Sequence, residues 1–139
     1  MGGYKMITTD ITVRFRDVDS MGHVNNAVFF TYFEEGRKEF VGSLFNIVEP
    51  GDYSFILASI SCDFLRPVKL GNSITVQLWV GDIGEKRFNL EYRLVDTGDE
   101  SIVYAKGRSV QVFFDYEKNK TVTIPKYFLE KISDLRKRS

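Results

Sequence analysis

From Arg14 to Phe30 the chain reads Arg-Phe-Arg-Asp-Val-Asp-Ser-Met-Gly-His-Val-Asn-Asn-Ala-Val-Phe-Phe. Two carboxylates (Asp17, Asp19), the one imidazole of the sequence (His23), Gly22 and two side-chain amides (Asn25, Asn26) stand directly ahead of an apolar segment. A helix that starts at Asn25 or Asn26 presents unpaired first-turn N–H groups and a partial positive charge. Both polarise a carbonyl and hold the negative charge that grows on its oxygen during acyl transfer. One well-aimed donor of this kind is worth about 3 kcal/mol in the transition state. A carboxylate a few residues upstream supplies a base for water, or a nucleophile.

Other chemistries are excluded by inspection. The sequence holds no G-x-S-x-G, no G-x-x-x-x-G-K-[ST], no H-E-x-x-H and no G-x-G-x-x-G. With one His and one Cys, a zinc site of ordinary composition cannot form within one chain, so neither metal nor another cofactor is expected. The 19 basic and 19 acidic residues of the 139 cancel, which gives no general attraction to nucleic acid or to acidic membranes. A lone Cys62 makes no internal disulfide, no apolar run approaches roughly 18 residues, and the amino terminus lacks a basic-then-apolar leader. The expectation is a cytoplasmic protein.

The elements that must position the reactive stretch follow from hydrophobic period. Ile11, Val13 and Phe15 alternate with Thr12, Arg14 and Arg16, which predicts a half-buried strand. From Asn26 to about Phe45, residues Phe29, Phe33, Phe40 and Leu44, with Gly36 beside them, fall on one helical face, and Val28, Phe30, Tyr32 and Val41 widen it. Thr31, Glu34, Glu35, Lys38 and Glu39 carry a narrow polar face, so the helix is mostly enclosed, with Asn25 or Asn26 as its N-cap. Pro50 and Gly51 mark the loop beyond it.

Four alternating sets then predict strands: Ile56, Ala58, Ile60, Cys62 and Phe64; Ile74 to Val80; Phe88 to Leu94; and a long run from about Ile102 to Phe114. Residues 81–86 and 96–100 read as hairpin connections. Phe128, Ile132 and Leu135 give the tail a weak helical spacing. No linker or repeat divides the chain, and 43% apolar residues suffice for one core, so residues 1–139 are read as a single α+β domain, a long helix against an antiparallel sheet.

The string from Asp17 to Asn26, with the aromatic helix after it, resembles the hot-dog-fold acyl-CoA thioesterases of the 4-hydroxybenzoyl-CoA thioesterase-like family. The resemblance continues through Arg66-Pro67-Val68-Lys69-Leu70-Gly71, Ala105-Lys106-Gly107 and Phe114-Asp115 to Ile124-Pro125. It implies a hot-dog fold, a long central helix wrapped by a curved antiparallel sheet. It also implies a homodimer or homotetramer with active sites at subunit interfaces, and hydrolysis of an acyl-CoA thioester to a carboxylic acid and CoA.

Position by position, the family's catalytic carboxylate falls on Asp19 and its oxyanion donor on the backbone N–H of Asn26. Asp17 would tune Asp19 by like-charge repulsion, because residues two apart on an extended segment share a face. His23 is a candidate to orient water or substrate, and Asn25 a candidate substrate contact. By the same resemblance, Lys86 and Arg87 would meet the nucleotide end of CoA. The string also resembles plant acyl-carrier-protein thioesterases, whose Asn two residues past the Asp is replaced here by Met21. Glu34 and Glu35 are alternative carboxylates by chemistry alone, and Cys62, in the apolar phase of its strand, reads as a packing thiol. An acyl-carrier-protein thioesterase and a non-catalytic acyl-thioester binding protein remain the alternative functions.

Overall fold

The structure, a computed structural model, describes residues 5–45 and 55–137. In chain order these form β1 (Ile7–Thr12), a 3-10 turn (Phe15–Asp17), α1 (Asn26–Phe45), β2 (Phe55–Phe64), β3 (Ser73–Ile83), β4 (Arg87–Asp96), β5 (Val103–Asp115), β6 (Lys120–Thr121) and α2 (Lys126–Lys137). The side chain of Leu44 and the loop at Pro50-Gly51 lie outside the described residues.

All strand pairings are antiparallel, in the order β1-β3-β4-β5-β2, with β6 paired to β5. Ile74, Val76, Leu78 and Val80 of β3 and Phe88, Leu90, Tyr92 and Leu94 of β4 turn to one face and are buried. Against that face lies α1, through Phe29, Tyr32, Phe33, Phe40 and Val41. The long helix enclosed by a curved sheet is the hot-dog fold. Among the described residues no helix is long and apolar enough to cross a membrane.

The structure departs from the periodic reading in two places. β1 starts at Ile7 and stops at Thr12, and Phe15 is not in a strand: the chain tightens into the 3-10 turn and leaves this residue 81% exposed. In β2 a bulge between Leu57 and Ser59 changes the phase, so Phe55 and Leu57, opposite Phe113 and Gln111, take the helix-facing positions in place of Ile56 and Ala58. A bulge adds one residue to one strand, and every residue before it then faces the other way.

Phe55 thus joins an aromatic cluster with Phe88, Phe113 and Phe128, ring centroids 4.9 to 6.2 Å apart. Phe128 brings α2 into the core, and Ile132 and Leu135 are buried beside it at the spacing read from the tail. The two-residue β6 is too short to leave a periodic signal.

Candidate active site

The reactive stretch is a closed hairpin. The N–H of Asn25 donates to the carbonyl of Asp17 (2.9 Å), and that of Asp19 to the carbonyl of His23 (2.7 Å). Val18 bridges Val24 between these rungs. The N–H of Val24 also donates to the carbonyl of Val68 (2.8 Å), and His23 bridges Lys69, so the hairpin is sewn to the chain leading into β3. At its tip the N–H of Gly22 donates to the carbonyl of Asp19 (3.0 Å), and Gly22 takes a φ of 82°, in the left-handed region that other residues rarely adopt.

Asp17 is buried inside this assembly, 3% exposed. Its Oδ2 accepts from the N–H of Arg14 (3.0 Å) and the phenol of Tyr32 (2.9 Å), and its Oδ1 meets the Arg14 guanidinium at 3.3 Å. Burial alone pushes this carboxyl up, but the Arg14 N–H, the Tyr32 hydroxyl and the Arg14 guanidinium outweigh it and hold it below its ordinary value. Burial and the Asp17 charge in turn push the Tyr32 phenol well above its ordinary value. The shared face expected for Asp17 and Asp19 is not formed: the 3-10 turn aims Asp17 inward while Asp19 is exposed. Asp17 holds the loop in place.

Asp19 presents its carboxylate differently. Oδ1 accepts from the N–H groups of Met21 (2.9 Å) and His23 (3.3 Å), which fixes the side chain across the turn. Oδ2 has no partner among the described residues and is open to substrate or water. Asn25 is the N-cap: its Oδ1 accepts from the N–H of Ala27 (2.8 Å), and its carbonyl from that of Val28 (2.9 Å). The N–H of Asn26, first residue of α1, meets no acceptor among the described residues. His23 is half-buried, engaged through its backbone, with no hydrogen bond to its ring among the described residues. One hairpin therefore brings Asp19, His23, Asn25 and Asn26 together.

Lys86 and Arg87 stand apart from it. Both are exposed at the start of β4, whose far end, Asp96, pairs with Ile74 beside the hairpin-bound segment; nine residues of strand span about 30 Å. Glu35 is salt-bridged to Lys38 at 3.4 Å on the surface of α1. Cys62 is half-buried, and burial together with Asp63 pushes its thiol up to about 11, which suits a packing role.

The periodic reading missed Tyr32 as a site residue and counted it only as apolar width. A tyrosine on a buried helical face needs a partner for its hydroxyl, and that requirement was the available signal for the Asp17 bond. It also missed a buried polar chain beneath α1. Arg37 donates to Tyr92 Oη (3.1 Å), which lies 2.5 Å from Ser109 Oγ; Ser109 bonds Gln111 Oε1, and Gln111 Nε2 donates to the carbonyl of Phe88 (3.0 Å).

Residues 13–132 match the Thioesterase-like superfamily, and the chain belongs to it. A thioesterase of Thermus thermophilus, solved with coenzyme A and zinc, is 31% identical and superposes with a TM-score of 0.83 over 100% of both chains. The acyl-CoA thioesterase YbgC of Helicobacter pylori strain J99 is 26% identical over 127 residues, 87% of this chain and 96% of that one. The chloroplastic acyl-acyl carrier protein thioesterase ATL2 of Arabidopsis thaliana is 30% identical over 114 residues, 79% of this chain and 60% of that one. The chain spans 56% and 60% of the length of the first two curated relatives it matches.

Proposed function

We propose that this protein is an acyl-CoA thioesterase, hydrolysing an acyl-CoA thioester to a carboxylic acid and free CoA. The observation that carries the reading is the pairing, within one closed hairpin, of an Asp19 oxygen without a partner and an Asn26 helix-start N–H without an acceptor among the described residues. The Asn26 N–H holds the thioester oxygen as it gains negative charge. Asp19 Oδ2 either takes a proton from the attacking water and returns it to the departing CoA sulfur, or attacks the carbonyl carbon itself. Direct attack expels CoA thiolate, which solvent protonates, and forms a mixed anhydride that water then splits into the carboxylic acid and free Asp19. Turnover in heavy-oxygen water separates the two routes, since only direct attack leaves the label in Asp19.

Two copies complete the site in this reading. β2 is an edge of the sheet, and Leu57, Phe64 and Leu65 near that edge are each more than 40% exposed. A two-fold axis that joins one edge to its own copy makes the pair antiparallel. The Phe55 end of one copy then lies beside the Phe64 end of the other, where Phe64 packs on Phe29 at the start of α1. Lys86 and Arg87, at the Phe55 end of the sheet, come toward the other copy's hairpin and are the proposed contacts for CoA phosphates. Residues 1–139 act as one hot-dog domain, in the cytoplasm, as a homodimer or a dimer of dimers.

The test is thiol release over a panel of acyl-CoA and acyl-carrier-protein thioesters, with Asp19→Asn beside the wild type. The variant keeps an Oδ1 for Met21 and His23 but loses the carboxylate. Release is expected to fall by about 10²-fold or more, with acyl-CoA binding retained. Equal rates in the two proteins overturn the assignment of Asp19. Faster turnover of acyl carrier protein thioesters than of acyl-CoA overturns the choice of donor, and tight binding without release identifies a non-catalytic carrier.

A further inference from the structure

A cavity of about 270 Å³ opens between α1 and the start of β2, lined by Glu34, Arg37, Lys38, Phe55, Leu57 and Gln111. Its polar wall is built from within. Gln111 Oε1 takes the Ser109 proton, so the Tyr92–Ser109 bond must carry the Tyr92 proton, and Tyr92 Oη is left to accept from Arg37. Every bond in the chain therefore points one way, from Arg37 through Tyr92, Ser109 and Gln111 to the carbonyl of Phe88. Tyr92, Ser109 and Gln111 are buried, and Tyr92 is held by stacking on Phe33, centroids 4.5 Å apart.

The consequence is a guanidinium held in the cavity wall with donors to spare. A guanidinium carries five N–H donors and no acceptor, and Arg37 spends one of them, on a neutral phenol. No carboxylate among the described residues lies within ion-pair distance of this half-buried cation. Gln111 lines the cavity from a fully buried position, and Lys38, also in its wall, is bridged to Glu35 at 3.4 Å, so Arg37 is the cation with donors to spare. Glu34 is exposed, so its charge is screened by water, whereas Gln111 is fully buried. A half-buried guanidinium with spare donors, and no carboxylate within ion-pair distance among the described residues, is matched by a planar anion that takes two of its N–H groups at once.

We propose that this cavity is a specificity subsite for an acyl group whose far end is a carboxylate, with Arg37 as the residue that selects it. The inference rests on the thioesterase reading for its substrate and deepens it. The two-fold arrangement proposed above would bring the cavity, at the Phe55 end of β2, toward the hairpin of the other copy. Tyr92, Ser109 and Gln111 are positioning residues that fix the guanidinium.

The experiment compares matched pairs of acyl-CoAs of equal length, one ending in a methyl group and one in a carboxylate, from short to long chains. Wild type is expected to favour the carboxylate member by about tenfold or more in kcat/KM at its best length. In Arg37→Gln that ratio should fall to about one, and in Arg37→Lys, which keeps the charge and loses the fork, to a value between. A ratio near one in the wild type, or a ratio unchanged in Arg37→Gln, overturns the proposal. A second readout needs no turnover: free dicarboxylic acids should raise the melting temperature of wild type more than monocarboxylic acids do, and the difference should vanish in Arg37→Gln. If no thioester is cleaved, the hydrolase reading fails, and this Arg37-dependent shift alone upholds the carboxylate site by its presence or overturns it by its absence.

Discussion

The phenol of Tyr32 donates to Oδ2 of Asp17 at 2.9 Å, joining the second turn of α1 to the 3-10 turn fifteen residues earlier. Both groups are buried; Asp17 gives the phenol its acceptor and is itself held by Arg14 as well. Two residues past Asp17 stands Asp19, so this bond sets where the exposed carboxylate sits relative to the start of the helix.

Tyr32→Phe removes the donor and leaves a buried carboxylate oxygen with one fewer partner. The expected loss is about 1–3 kcal/mol of stability. It should appear as a lower urea midpoint with an unchanged slope. Thioester turnover should fall as well, although Tyr32 is not placed to touch the substrate, because the Asp19 loop loses its anchor.

Asp17 makes stability depend on acid. Its carboxyl is held below its ordinary value in the folded chain, so the unfolded chain binds the proton more readily. The stabilisation is complete above the ordinary carboxylate value and is lost as pH falls through the lower folded value. Wild type should therefore weaken from about pH 4 downward, and Asp17→Asn should weaken less steeply over the same interval. Denaturant titrations at a series of pH values check this by the difference between the two proteins.

How far the sequence alone reaches is clear from particular residues. α1 was legible because Phe29, Phe33 and Phe40 repeat at helical spacing, and the Asn25 cap because an amide ahead of such a run has first-turn donors to satisfy. The helical tail was legible from Phe128, Ile132 and Leu135 alone. Phe15 was misread because alternation continues past the point where the chain turns, and the phase of Phe55 because a bulge leaves no trace in composition. The inward turn of Asp17 and the chain from Arg37 to Gln111 join residues far apart in sequence, and no local period reports such partnerships.

Gly107→Ala should be destabilising out of proportion to one methyl group. A Cβ there would strike the ring edge of Phe33 and stand 2.9 Å from the carbonyl of Ser61, which the β2–β5 pairing holds in place. Phe33 must then leave its stack on Tyr92. A cost of about 1–3 kcal/mol is expected, read as a lower melting temperature.

Asn25→Ala should cost about 1 kcal/mol through loss of the cap on Ala27, and Asn25→Ser should recover most of it. Thermal unfolding of the three proteins side by side gives the comparison. Frayed first-turn amides should also slow thiol release in the alanine variant.

Cys62, with its thiol pushed up to about 11, should react slowly with iodoacetamide at neutral pH in the native protein. Denaturant should accelerate the reaction. Rapid native labelling would show that β2 opens around it.

The hairpin from Asp17 to Asn25 closes on its own backbone, and its fastenings, to Tyr32 and to Val68, lie outside the cavity at the Phe55 end of β2. On the proposed reading, bond-breaking apparatus and substrate selection would be separate modules of one small fold. Descendants of this chain would then be able to trade Arg37 or Leu57 to suit new acids while inheriting the same cleavage machinery, and the same independence would let an engineer retune preference without rebuilding the reaction.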